Sequence, residues 1–133
     1  MSYIKVFVYG TLKPGEANYQ RYCAERVVES YPAVASGRLF ELPIGYPAMT
    51  EGQGSIQGFV LFFLDSEVLL ELDKLEDYHP ERPPETNEYQ RQKIKTFNFE
   101  GQYLGMAWGY LMLPEKVKLL GGVFLSSGCW SGG

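Results

Sequence analysis

Ile4-Lys5-Val6-Phe7-Val8-Tyr9-Gly10-Thr11-Leu12-Lys13-Pro14-Gly15 opens with six residues dominated by β-branched and aromatic side chains. A run of this kind, apolar on both faces, reads as a strand buried on both sides. Gly10 ends it, and Thr11 to Gly15 form a turn-prone loop. A glycine at the strand exit permits backbone conformations that aim amide N–H groups at one point, a nest for a carboxylate or a developing oxyanion. Turns of this kind also occur where nothing binds. The spacing is not that of a phosphate loop, and the chain has no Gly-x-Ser-x-Gly elbow and no paired-glycine dinucleotide fingerprint.

Outward from this strand, Val27 to Phe40 reads as extended chain broken at Pro32, and Pro43 to Gly54 as irregular. Ile56 to Leu64 is the strongest strand. Tyr89 to Phe99 and Tyr103 to Leu113 form a hairpin around Gly101. In its second strand Gly105, Ala107 and Gly109 alternate with Met106, Trp108 and Tyr110, so one face is small enough for another element or a ligand to approach. Glu16 to Glu25 is a short helix candidate, and His79 to Glu88, with three prolines, is a loop. Gly121 to Gly133 is turn-rich, with Trp130 as an anchor. The expected fold is α+β: a single domain over residues 1–133 with a mixed, strongly curved sheet or small barrel and a few short helices.

Glu67 to Asp77 reads as an amphipathic helix that starts after Asp65-Ser66 and stops before Tyr78-His79-Pro80. With Val68 at zero, Leu75, Leu72 and Leu69 fall near ~-20°, ~40° and ~100°, and Glu76 falls at ~80°, inside the apolar stripe. An acidic group there loses hydration, and the helix C-terminus adds negative partial charge. Both raise its pKa toward the range that suits a general base. The other readings are that Glu76 frays into solvent or pairs with Arg82 or Arg91.

Twelve Lys and Arg against sixteen Asp and Glu leave a formal charge of -4 with no basic cluster, which argues against nucleic acid or an anionic membrane as a partner. No apolar run approaches the length of a membrane span, and the N-terminus lacks a signal-peptide layout, so a cytoplasmic setting is expected. Cys23, Cys129 and the single His79 offer neither a disulfide framework nor metal-ligand spacing, and no metal or other cofactor is expected. Lys13 and Arg38 have two readings, attraction of an anionic substrate and, favoured of the two, solvated surface charges. Tyr46, Tyr89 and Tyr110 are candidate pocket walls with a hydroxyl to offer.

The segments Tyr9-Gly10-Thr11-Leu12-Lys13-Pro14-Gly15, Gly37-Arg38-Leu39-Phe40, Tyr46-Pro47-Ala48 and Ile56-Gln57-Gly58-Phe59-Val60 come in that order. Leu72-Asp73-Lys74-Leu75-Glu76-Asp77-Tyr78, Tyr89-Gln90-Arg91 and Ala107-Trp108-Gly109-Tyr110 follow. In that order and spacing, over residues 4 to about 112, they resemble the γ-glutamylcyclotransferase-like family, in its γ-glutamylamine cyclotransferase-like branch. The resemblance implies a barrel-like mixed sheet and release of 5-oxoproline from a small γ-glutamyl substrate. It maps the acid/base residue onto Glu76 and the loop that holds the glutamyl head group onto Tyr9, Gly10, Thr11 and Leu12. Tyr89 and Tyr110 map onto positions bordering the same cavity. Family members often have Ser where Thr11 stands and Gly where Asp77 stands, and the loop Glu81-Arg82-Pro83-Pro84-Glu85 is longer than in the tightest relatives. Two readings from other classes stay open: a non-catalytic module binding γ-glutamyl-like anions, and a scaffold using Trp108 or Trp130.

Overall fold

A computed structural model describes residues 3–131. The chain runs β1 (Ile4–Val8), α1 (Tyr19–Tyr22), β2 (Val27–Glu41), β3 (Pro47–Phe63), α2 (Glu67–Leu75), β4 (Gln90–Phe97), β5 (Tyr103–Leu111), α3 (Pro114–Leu119) and β6 (Val123–Phe124). The six strands lie in the order β3-β1-β5-β4-β2-β6, and a further pairing of β3 with β2 closes the first five into a barrel. Only β1 and β5 run parallel, so the α+β fold and the mixed, curved sheet match the sequence expectation. No helix among the described residues is long and apolar enough to cross a membrane.

The strict alternation of strand side chains builds two cores. Phe7 and Tyr9 of the first strand segment join Ala33, Ala35, Leu39, Met49, Ile56, Val60, Ala107 and Leu111 on one face. Val6 and Val8 face the other way, where Leu61, Phe63 and the α2 residues Val68, Leu69 and Leu72 pack with Tyr89 and Tyr110. The small face of β5 is thus used by the barrel itself: Ala107 sits in the first of these cores, while Trp108 and Tyr110 belong to the second. Gly58 has a comparable cause, since a Cβ there would lie 2.2 Å from the Val8 carbonyl oxygen.

Four local expectations are corrected. β2 continues through Pro32, which pairs with Phe59 of β3. β4 reaches β2 only at Val34 and Ala35, so Pro32 sits where its missing N–H is not required. The stretch expected to be irregular up to Gly54 is ordered from Pro47, because residues 47–50 pair with residues 38–41 of β2. The helix candidate Glu16 to Glu25 shortens to Tyr19–Tyr22, and α3 forms in a segment for which no helix was expected.

The fourth correction bears on the site. The second helix ends at Leu75, with Glu76 as its C-cap rather than a residue of its last turn. Asp77 follows in the left-handed region at φ 54°. The Tyr78 N–H donates to the Asp73 carbonyl at 2.8 Å and the Asp77 N–H to that of Lys74 at 3.3 Å, the paired bonds of a Schellman ending. Glycine suits that backbone better than aspartate by about 1 kcal/mol. The exposed Asp77–Arg82 ion pair gives back up to about 1 kcal/mol. The two effects nearly cancel, so Asp77→Gly is expected to leave stability within about 0.5 kcal/mol of wild type, as a urea melt would record.

Candidate active site

One cavity is lined by Tyr9, Gly10, Thr11, Leu12, Glu76, Tyr89 and Tyr110, together with Asn18, Tyr46, Pro47, Glu88 and apolar neighbours. Each site residue expected from the sequence therefore borders the same hollow. The strand exit supplies one wall and the end of α2 the opposing acidic group.

Gly10 matters here for space. A Cβ on it would stand 2.7 Å from Pro47 Cγ, and its φ is not positive, so the expected role in twisting the amides is replaced by close packing of the loop against the start of β3. The loop is then fixed by its own bonds. Lys13 N–H donates to the Gly10 carbonyl at 3.0 Å, Asn18 N–H to the Thr11 carbonyl at 2.8 Å, and Asn18 Nδ2 to Thr11 Oγ1 at 2.9 Å. Among the described residues no backbone acceptor takes the amides of Thr11 and Leu12.

Lys13 is buried, contrary to the solvated role expected of it. Its ammonium donates to the Trp130 carbonyl, and the Trp130 indole donates to Glu41 Oε2 at 2.5 Å. Trp130 is only 4% exposed, so it anchors the closing segment and offers no surface to a partner. Arg38 is exposed, as expected.

The tyrosines are committed to the frame. Tyr9 donates to the Tyr110 carbonyl at 2.7 Å and accepts from the Met49 N–H at 3.1 Å, tying β1 to both neighbours. Tyr89 donates to the Pro47 carbonyl at 2.7 Å, and Tyr110 to Asp73 Oδ1 at 2.7 Å. Burial, aided by nearby acidic groups, holds these phenols above their ordinary pKa and so in the neutral form.

Glu76 has no ion-pair partner among the described residues. Arg91 pairs with Asp73 and Arg82 with Asp77, so neither alternative partner reaches it. It is partly buried, its carboxyl enclosed by the cavity walls, and that loss of hydration pushes its pKa up from 4.5 to about 8. Repulsion from Glu88 adds to the rise. Cys23 moves away from reactivity, its thiol pushed up to about 12 by burial.

Glu88 and Asn18 line the cavity without having been singled out in the sequence. Glu88 lies just before β4, next to Tyr89, and Tyr46 donates to its Oε2 at 2.9 Å. Its adjacency to a tyrosine of the resemblance was the available signal. Asn18 carries none, because its bond to Thr11 spans a loop that spacing does not encode.

The family model described as "Gamma-glutamyl cyclotransferase, AIG2-like" matches residues 6–132. The chain belongs to this family. A Vibrio cholerae protein provisionally named as a gamma-glutamylcyclotransferase is 33% identical over 106 residues, which are 80% of this chain and 79% of that protein. The gamma-L-glutamyl-butirosin B gamma-glutamyl cyclotransferase of Niallia circulans is 31% identical over 106 residues, 79% of this chain and 65% of that enzyme. Family and relatives together support a gamma-glutamyl cyclotransferase activity in general. An AIG2-like protein of Mus musculus superposes with a TM-score of 0.71 at 20% identity, over 98% of this chain and 90% of that one. YkqA of Bacillus subtilis gives 0.69 at 23% identity over 97% of this chain and 40% of that one. These two likenesses concern the fold alone.

Proposed function

We propose that the chain cyclises the γ-glutamyl group of a small γ-glutamyl compound to 5-oxoproline and releases the amine, with Glu76 as the general acid/base. The observation that carries the reading is the single cavity shared by a desolvated, unpaired Glu76 carboxyl and the amides of the Thr11–Leu12 turn.

The chemistry follows from what the substrate needs. Its α-nitrogen forms a bond to its own γ-carbonyl carbon while the bond from that carbon to the leaving nitrogen breaks. Near neutral pH the α-amine carries an extra proton and cannot attack. Glu76 takes that proton and returns it to the departing nitrogen, so the step consumes no water. Holding the substrate in a bent, ring-closing pose in this cavity recruits the advantage of intramolecular attack. The Thr11 and Leu12 amides are suited to the α-carboxylate or to the tetrahedral oxygen.

The pH dependence has a defined sign. A complex in which Glu76 and the α-amine both hold their protons is inactive, so kcat/KM rises with pH and its acid limb reports Glu76 in the free enzyme. The inflection is expected near 8. Glu88→Gln removes a repelling charge and should shift the inflection acidward. A pH–rate profile of 5-oxoproline release tests this, and an acidic limb near the ordinary glutamate value would overturn the desolvation of Glu76 in the working enzyme. Substrate binding by calorimetry with no product would favour the binding-module reading instead.

A further inference from the structure

The proline-rich stretch between α2 and β4 contains one 3-10 turn, Pro84–Thr86, and is held by a clamp. Asn87 is 1% exposed. Its Oδ1 accepts from the His79 N–H at 3.1 Å and from Arg82 Nε at 2.8 Å, while its Nδ2 donates to the His79 carbonyl at 3.1 Å. From outside the loop, Lys116 Nζ on α3 donates to the Asn87 carbonyl at 2.5 Å. The next residue is Glu88, whose N–H donates to the Asp77 carbonyl at 3.2 Å, one position beyond Glu76. The loop therefore delivers a carboxylate to the cavity on a fixed backbone, and the Tyr46 hydroxyl holds one of its oxygens.

The cavity lining now holds two acidic side chains and no basic one. The nearby cations are committed elsewhere: Lys13 to Trp130, Arg82 to Asp77, Arg91 to Asp73 and Lys116 to the loop backbone. Glu76 is largely protonated near neutral pH, so the Glu88 carboxylate is the charge in this partly desolvated hollow, and it repels an anionic guest and attracts a cationic one. We propose that Glu88 is a specificity-determining residue: it selects γ-glutamyl compounds whose leaving amine carries a second, positively charged group. The inference rests on the cyclotransferase reading above. Glu88 belongs on the leaving-group side because a second carboxylate bound to the α-ammonium would stabilise the proton that cyclisation must remove. On the leaving side it recognises charge without opposing attack.

The test uses two γ-glutamyl conjugates of equal chain length, one of a four-carbon diamine ending in ammonium and one of a four-carbon amino acid ending in carboxylate. The readout is the ratio of their kcat/KM values, which cancels any common effect of Glu88 on the basicity of Glu76. Wild type is expected to favour the ammonium probe by roughly 100-fold, and Glu88→Gln to cut that ratio by about tenfold, the effect of one partly desolvated charge pair. Tyr46→Phe, which frees Glu88 without removing it, should lower the ratio by about threefold and keeps the test available if Glu88→Gln folds poorly. An unchanged ratio, or an equal fall of both probes as expected if Glu88 gripped the α-ammonium, overturns the assignment while leaving cyclisation intact. Absence of 5-oxoproline from both probes with wild type overturns cyclisation and the subsite together.

Discussion

Glu76→Gln is expected to fold and to lose roughly 10²- to 10⁴-fold in kcat, the usual worth of a positioned general base, or about 3–5.5 kcal/mol of barrier. The amide keeps the size of the side chain and the backbone bonds of the cap, including the Glu76 N–H to the Leu72 carbonyl at 2.9 Å. What it removes is the proposed acceptor of the α-ammonium proton. Binding should change far less than turnover, because the Thr11–Leu12 amides are untouched. Turnover of the variant at the wild-type rate would end the assignment.

The same substitution carries a stability signature of opposite sense. Glu76 holds its proton more tightly folded, near 8, than unfolded, near 4.5. The folded state therefore binds more protons across that window, and wild-type stability declines as pH rises through it. Glutamine stays neutral throughout. Wild type and variant should melt alike below about pH 4, while above pH 8 the variant is expected to be more stable by on the order of 2–4 kcal/mol. A catalytic loss joined to a gain in stability at high pH is hard to obtain from a side chain facing bulk water.

The parts of this site that were legible in the sequence are those set by local pattern. The strand Ile4–Val8 and its exit were readable because β-branched and aromatic residues stop at a glycine. Glu76 stood out because three leucines and a valine define a stripe and a carboxylate falls within it. The helix end was misplaced by two residues, since a left-handed aspartate at position 77 gives no warning that glycine would have given. What stayed hidden depends on distant partners. Pro47 to Thr50 become strand because β2 lies beside them, which overrides a local excess of proline and glycine. Lys13 is buried because the Trp130 carbonyl, far along the chain, receives its ammonium. Glu88 enters the cavity through the clamp at Asn87, whose partners His79, Arg82 and Lys116 share no periodic spacing.

Asp73→Ala should be the most damaging single change that leaves the cavity's own side chains in place. Asp73 accepts from the Tyr110 hydroxyl at 2.7 Å, and its Oδ1 lies 3.2 Å from Arg91 Nε, with side chains 11% and 19% exposed. Arg91 Nε is buried and makes no aligned hydrogen bond, so Coulomb attraction is what Asp73 supplies to it. Removing one partner of a buried pair costs about 3–5 kcal/mol because the other charge stays desolvated. Arg91 keeps part of its compensation, since its guanidinium lies over Trp108 at 4.6 Å and Tyr78 at 5.7 Å. Contacts of that kind give back about 0.5–2 kcal/mol. The net expectation is a loss of about 2–3 kcal/mol by denaturant melt. The decisive arm is the double variant: Arg91→Met added to Asp73→Ala removes the orphaned charge and retains apolar bulk against Trp108, so it should recover stability rather than lose more. A second loss additive with the first would mean that Asp73 and Arg91 are not coupled.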